Sequence, residues 1–116
     1  MEKLEFLEYL IQQGCLGHPL NFFENDEIIS KKIKKEDLKK LLCYLIDKDV
    51  IYISQCAYDK NKAKEIINDD KIWGKKYTNH ILSQKRGLDY ANKKEYVKEF
   101  LNGEFPEFEI ENSFLK

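Results

Sequence analysis

The chain has 116 residues, 42% of them hydrophobic, with 7 Phe, 7 Tyr and 1 Trp, which suffices for one packed core and not for two. Its net charge of -1 excludes a uniformly basic or acidic protein, and no apolar run approaches the ~20 residues of a membrane-spanning helix. The opening Met1-Glu2-Lys3-Leu4-Glu5 lacks the basic-then-apolar order of a signal peptide, so a soluble, cytoplasmic protein is expected, with no membrane association.

The first predicted element is a helix over residues 2–14. Leu4, Phe6, Leu7, Leu10 and Ile11 fall on one stripe at about 100° per residue, and Glu2, Glu5, Glu8 and Gln12 take the other side. Gly14 is a natural stop. Residues 15–21 contain Gly17 and Pro19 and read as a connection. A short second helix is predicted over 24–32, capped by Asn21 or Asn25, with Ile28, Ile29 and Ile33 turned inward.

The clearest period lies in residues 35–48. Leu38, Leu41, Leu42, Leu45 and Ile46 stand at i, i+3, i+4, i+7 and i+8, and Glu36 and Asp37 suit the positive end of the helix dipole. Val50-Ile51-Tyr52-Ile53 follows as a strand, being β-branched and aromatic. Residues 57–75 are polar, with a helical turn indicated at Ala63 to Ile67, and Lys76 to Leu82 reads as the returning strand. So long a connection makes an enlarged or partly disordered hairpin loop. A helix is predicted from 84 to 91, and the capping-box spacing of Asn92 and Glu95 marks a new helix or a kink running to Asn102-Gly103. The tail, 104–116, alternates Glu107, Glu109 and Glu111 with Phe108 and Ile110 behind Pro106, which is an edge-strand pattern with one acidic and one apolar face.

Two stretches carry a family resemblance. Leu38 to Ile46 followed by Asp47-Lys48-Asp49-Val50-Ile51 looks like a recognition helix, turn and first wing strand. Leu82-Ser83-Gln84-Lys85-Arg86-Gly87-Leu88-Asp89-Tyr90 is similar to the Leu-Thr-x-x-Gly-x-x-Tyr segment where a second wing strand enters the next helix, with Ser83 for Thr and one extra residue before Gly87. Over residues 2–91 the chain resembles the winged-helix superfamily and, more loosely, small winged-helix proteins of bacteria and their phages, YjcQ-like ones among them. The resemblance implies a mainly α fold with a small antiparallel β-hairpin: a winged helix-turn-helix domain at 1–103, with an extended wing at about 57–75 and C-terminal helices.

It also implies a function, binding of double-stranded DNA by a small transcriptional regulator. The chain's charge is segregated in a way that suits this. Residues 28–94 carry 17 Lys+Arg against 9 Asp+Glu, residues 1–27 carry 1 against 6, and residues 95–116 carry 2 against 6. A basic middle attracts a polyanion, although a charge run is as readily a solvated face. The candidate phosphate contacts are Lys31, Lys32, Lys34 and Lys35 before and at the start of the third helix, Lys39 and Lys40 on it, and Lys60, Lys62, Lys64, Lys71, Lys75 and Lys76 in the wing. Lysines position a protein on a backbone without reading bases. Arg86 is the sole arginine, and the outer face of the third helix is mixed: Glu36, Lys40, Cys43, Tyr44 and Asp47.

A second class, a non-enzymatic protein that binds a protein partner, such as a phage-encoded inhibitor of a host nucleic-acid enzyme or a homodimer module, is indicated by the acidic ends and the aromatics. Its candidate contacts are Tyr44, Tyr58, Trp73, Phe105, Phe108 and Ile110. Each of these aromatics also suits plain core packing. No enzyme is expected: Cys15-x-x-His18 is half a zinc pattern, and Cys43, Cys56 and His80 have no paired spacing. The three cysteines read as reduced, Asp69-Asp70 as a solvated pair, and no metal or cofactor is implied.

Overall fold

The computed structural model describes residues 3–11, 16–56, 59–73 and 81–84. Over these residues the protein is mainly helical, with three short strands. Helix α1, Lys3–Tyr9, passes into a π-helical turn at Leu10 and Ile11. Phe6, Leu7, Leu10 and Ile11 are buried, as their period requires. Glu8 departs from the expected outer face: it is 8% exposed, and its Oε1 has no hydrogen-bond partner.

The segment expected to be a connection is instead strand β1, Leu16–Pro19. Its breakers have specific uses. Gly17 has φ 80° and sits where the register with the partner strand shifts between Leu16 and His18, as a bulge residue in the left-handed region does. Pro19 ends a strand at the edge of the sheet, where its missing N–H costs no ladder bond, and its extended backbone serves as N-cap to the next helix. Pro and Gly thus mark a bulged edge strand here rather than a loop.

The single helix predicted over 24–32 is two, α2 at Leu20–Asn25 and α3 at Glu27–Lys32. Neither Asn21 nor Asn25 caps α3. Asp26 does so, accepting from the Ile29 N–H at 3.0 Å, and Asn25 donates to the Asn21 carbonyl instead. The Asp26 carboxylate also accepts from the Tyr9 hydroxyl, at 3.1 and 3.3 Å to its two oxygens. One side chain therefore starts α3 and ties it to α1. Ile29 and Ile33 are buried as expected, whereas Ile28 is half-buried.

Helix α4, Lys35–Asp47, buries Leu38, Leu41, Leu42, Leu45 and Ile46, the full predicted stripe. It ends in a Schellman turn: the Val50 N–H donates to the Leu45 carbonyl and the Asp49 N–H to the Ile46 carbonyl. Asp49 is left-handed, with φ 62°, a conformation that Asp tolerates better than most residues. The turn delivers β2, Ile51–Ile53, whose Ile51 and Ile53 are buried and whose Tyr52 is half-buried.

Strand β2 pairs antiparallel with β3, Ile81–Gln84, and β1 pairs with the other edge of β3, so the sheet order is β1-β3-β2. The predicted returning strand at 76–82 is thus met at its C-terminal end. Gln84, expected to open a helix, pairs with Ile51. Residues 74–80 and the predicted helices and tail beyond residue 84 lie outside the described residues.

The polar stretch between the strands is largely folded. After a 3-10 turn at Ser54–Cys56 come α5, Lys60–Ile67, and α6, Asp70–Trp73. Asp59 caps α5 by accepting from the Lys62 N–H at 2.9 Å. Ala63, Ile66, Ile67 and Trp73 join Phe6, Phe23, Leu42 and Leu45 in one continuous buried cluster. The stretch looked polar because α5 needs only one apolar stripe to dock.

Two outcomes follow. Leu42→Ala should destabilise the fold by about 2–5 kcal/mol, read by urea unfolding. Tyr9 is raised above its ordinary value of 10.0 by burial first, then by the charge and hydrogen bond of Asp26. The neutral phenol is therefore favoured more in the folded than in the unfolded chain. The stability it contributes is complete below pH 10 and lost as pH rises through the higher folded value. Tyr9→Phe should flatten that alkaline decline in a pH series of melting temperatures; an unchanged decline would show that Tyr9 is not its source.

Candidate nucleic-acid interface

The lysines expected to face a polyanion have three different fates. Lys32 is buried, 2% exposed, and presents no charge to a ligand. Lys35, Lys39, Lys60 and Lys64 are engaged by carboxylates. Lys31, Lys34, Lys40, Lys62 and Lys71 are exposed. Lys75 and Lys76 lie outside the described residues.

The engaged lysines follow from how α5 and α6 sit on α4. Lys35, Lys39, Cys43 and Asp47 are spaced by four and form one row along α4. Each contacts the α5–α6 segment. Lys35 Nζ lies 3.7 Å from an Asp70 oxygen, and Lys39 Nζ donates to that same oxygen. Asn68 Nδ2 approaches Cys43 Sγ at 3.9 Å, and Lys64 Nζ is 3.0 Å from Asp47 Oδ1. Lys60 reaches back to the Schellman turn, donating to the Asp47 carbonyl at 3.2 Å and pairing with Asp49 at 3.1 Å. Lys35 further pairs with Glu24 on α2 at 2.9 Å, and its ammonium lies 5.4 Å from the Trp73 ring centroid.

These contacts set the local protonation. Lys35 is raised, chiefly by its hydrogen bond to Glu24 and against the opposing effect of burial. Asp70 is lowered, chiefly by its hydrogen bond and charge interaction with Lys39. Burial pushes the Cys43 thiol up, so it is the protonated, unreactive form that faces α5.

With the leucine stripe buried, the exposed residues of α4 are Glu36, Lys40 and Asp47, the last paired with Lys64, flanked by half-buried Asp37 and Tyr44. Tyr44 packs on the core, with the Lys48 ammonium 5.7 Å from its ring centroid. Of the two expected partner-contact aromatics among the described residues, Tyr44 and Trp73, it is the one that stays partly accessible. Trp73 was expected at a partner surface and is instead a core residue, 1% exposed, its indole N–H donating to the Ile67 carbonyl. The buried indole closes the α5–α6 corner, which is why a lone Trp in a polar stretch turns inward. Tyr58, Phe105, Phe108 and Ile110 lie outside the described residues.

An open cleft of about 430 Å³ is lined by Tyr9, Phe22, Asn25, Asp26, Glu27 and Ile28. The Asp26 oxygens there already serve Tyr9 and the α3 cap. Among the described residues no group of three or more His, Cys, Asp or Glu side chains could hold a metal ion, and no helix is long and apolar enough to cross a membrane.

Sequence reasoning missed Asp70, Asp47, Asp49 and Glu24 as partners of the candidate lysines. The four-residue spacing of Lys35 and Lys39 marks a shared face, but nothing in the sequence says that Asp70, 31 positions beyond Lys39, lands on it. The chain matches no protein-family model, no curated protein and no solved structure.

Trp73→Ala should destabilise the protein by about 3–5 kcal/mol in urea unfolding, as a large aromatic removed from a core does. A loss below about 1 kcal/mol, typical of a surface site, would mean that the α5–α6 segment does not depend on it.

Proposed function

We propose that this protein is a winged-helix DNA-binding protein of the small transcriptional-regulator kind. The observation that carries the reading is the path of the chain after α4. The helix feeds β2 through a tight turn, β2 pairs antiparallel with β3, and the 59–73 segment lies between them as an elaborated wing. On this reading α2 and α3 precede the recognition helix α4, which is offered to the major groove, and the wing approaches the backbone.

The contact set is smaller than the count of lysines in the sequence. Lys31 in the last turn of α3, Lys34 just before α4, Lys40 on α4 and Lys62 on α5 are four exposed cations that this reading offers to phosphate. All four are point charges, so they hold the protein on duplex DNA more than they read sequence.

Partner binding is the second reading, and one observation favours it: two of the three residues on the exposed ridge of α4 are the carboxylates Glu36 and Asp47. Carboxylates repel phosphate except where they accept from cytosine. Half-buried Tyr44 beside that ridge suits a protein contact.

One titration decides between the two. About three or four lysine–phosphate contacts give a log–log slope of affinity against salt of about -3. Lys34→Glu with Lys40→Glu should weaken binding to all duplex sequences alike and make the slope shallower by about 2. Absence of binding to any duplex at ~50 mM salt would retire the DNA reading in favour of a protein partner.

A further inference from the structure

We propose that Asp70 is an intramolecular stand-in for a DNA phosphate, held on Lys35 and Lys39 at the start of α4, and that it must swing aside before a backbone phosphate can bind there. The inference rests on the DNA-binding reading and concerns how that binding is restrained.

The geometry is that of an anion site with its occupant supplied by the chain itself. Lys35 and Lys39 are one helical turn apart, and both ammonium groups converge on the same oxygen of Asp70. They lie in the first two turns of a 13-residue helix, whose N-terminal dipole adds to their positive field. A phosphate oxygen asks for the same surroundings.

The occupant is fixed at its base and free at its tip. α6 is held by the buried Trp73, whose indole donates to the Ile67 carbonyl. The Asp70 side chain itself is 77% exposed. Its rotation into water therefore frees the lysines without undocking α6. Lys39 gains most from this, since Asp70 is its partner and its side chain is only 13% exposed, whereas Lys35 keeps Glu24 at 2.9 Å. The lowered Asp70 pKa keeps the carboxylate charged throughout the neutral range. Because it is tethered, it competes at a high effective concentration with any external anion.

The test compares wild type, Asp70→Asn, Glu65→Gln and the double variant Asp70→Asn/Lys39→Gln on a duplex of about 20 base pairs, by fluorescence anisotropy across a salt series. Glu65 is exposed on α5, so its variant makes the same change in net charge without opening the site. Asp70→Asn should bind about tenfold tighter near 50 mM salt, with a slope steeper by about 0.9, the value for one added phosphate. The double variant should lose that gain. Binding by Asp70→Asn where wild type shows none would also support the lock. Equal gains in Asp70→Asn and Glu65→Gln would overturn it, leaving a general charge effect. Wild-type binding that Asp70→Asn does not improve would overturn the lock and leave the DNA reading standing. If neither protein binds, both fall together.

Discussion

The packing of α4 on two of its sides governs the rest of the molecule. Its stripe of Leu38, Leu41, Leu42, Leu45 and Ile46 belongs to the buried cluster shared with α1, α2 and α3, and its adjacent row of Lys35, Lys39, Cys43 and Asp47 contacts the α5–α6 segment. Burial of the stripe supplies the cohesion, since apolar area removed from water is the dominant favourable term in folding. The flanking row is polar and contributes little stability, because water screens ion pairs at a protein surface and ordering the long side chains offsets their attraction. What the row fixes is placement: it determines which lysines meet carboxylates and which face solvent.

Much of the fold was legible wherever one periodicity governs a whole element. α4 was read almost to the residue because five apolar side chains keep a helical period with no breaker among them. The inward face of α1 was legible for the same reason, apart from Glu8, whose charge argued for solvent. β1 was not legible. Gly17 and Pro19 are breakers by composition, and only pairing with a strand more than sixty positions later turns them into a bulge and an edge. The α3 cap was misassigned because Asn21, Asn25 and Asp26 are all competent acceptors. The choice of Asp26 depends on Tyr9, an interaction across 17 positions.

The candidate interface was less legible than the fold, for an electrostatic reason. The excess of lysine in residues 28–94 suggested a broad positive field. Four of the ion pairs, Lys35–Asp70, Lys39–Asp70, Lys60–Asp49 and Lys64–Asp47, lie wholly within that stretch, and a fifth, Lys35–Glu24, draws on the acidic N-terminal segment. A count along the chain treats these charges as independent, whereas paired charges largely cancel beyond a Debye length of about 8–10 Å. Trp73 was misjudged through its neighbours. A tryptophan amid Lys, Asn and Asp looks like a surface aromatic until α5 supplies a carbonyl for its indole N–H and an apolar face for its ring.

The folded segment between β2 and β3 also bears on the entropy cost of closing the sheet. Bringing Ile53 and Ile81 together across a fully flexible connection would require closing a long loop, and the entropy cost of closure rises with loop length. α5 docks on α4, the helix that precedes it along the chain. Once Ala63, Ile66 and Ile67 are seated, the chain that remains to be closed before β3 meets β2 is much shorter. The helical insert thus shortens the free loop across which β3 is brought to β2.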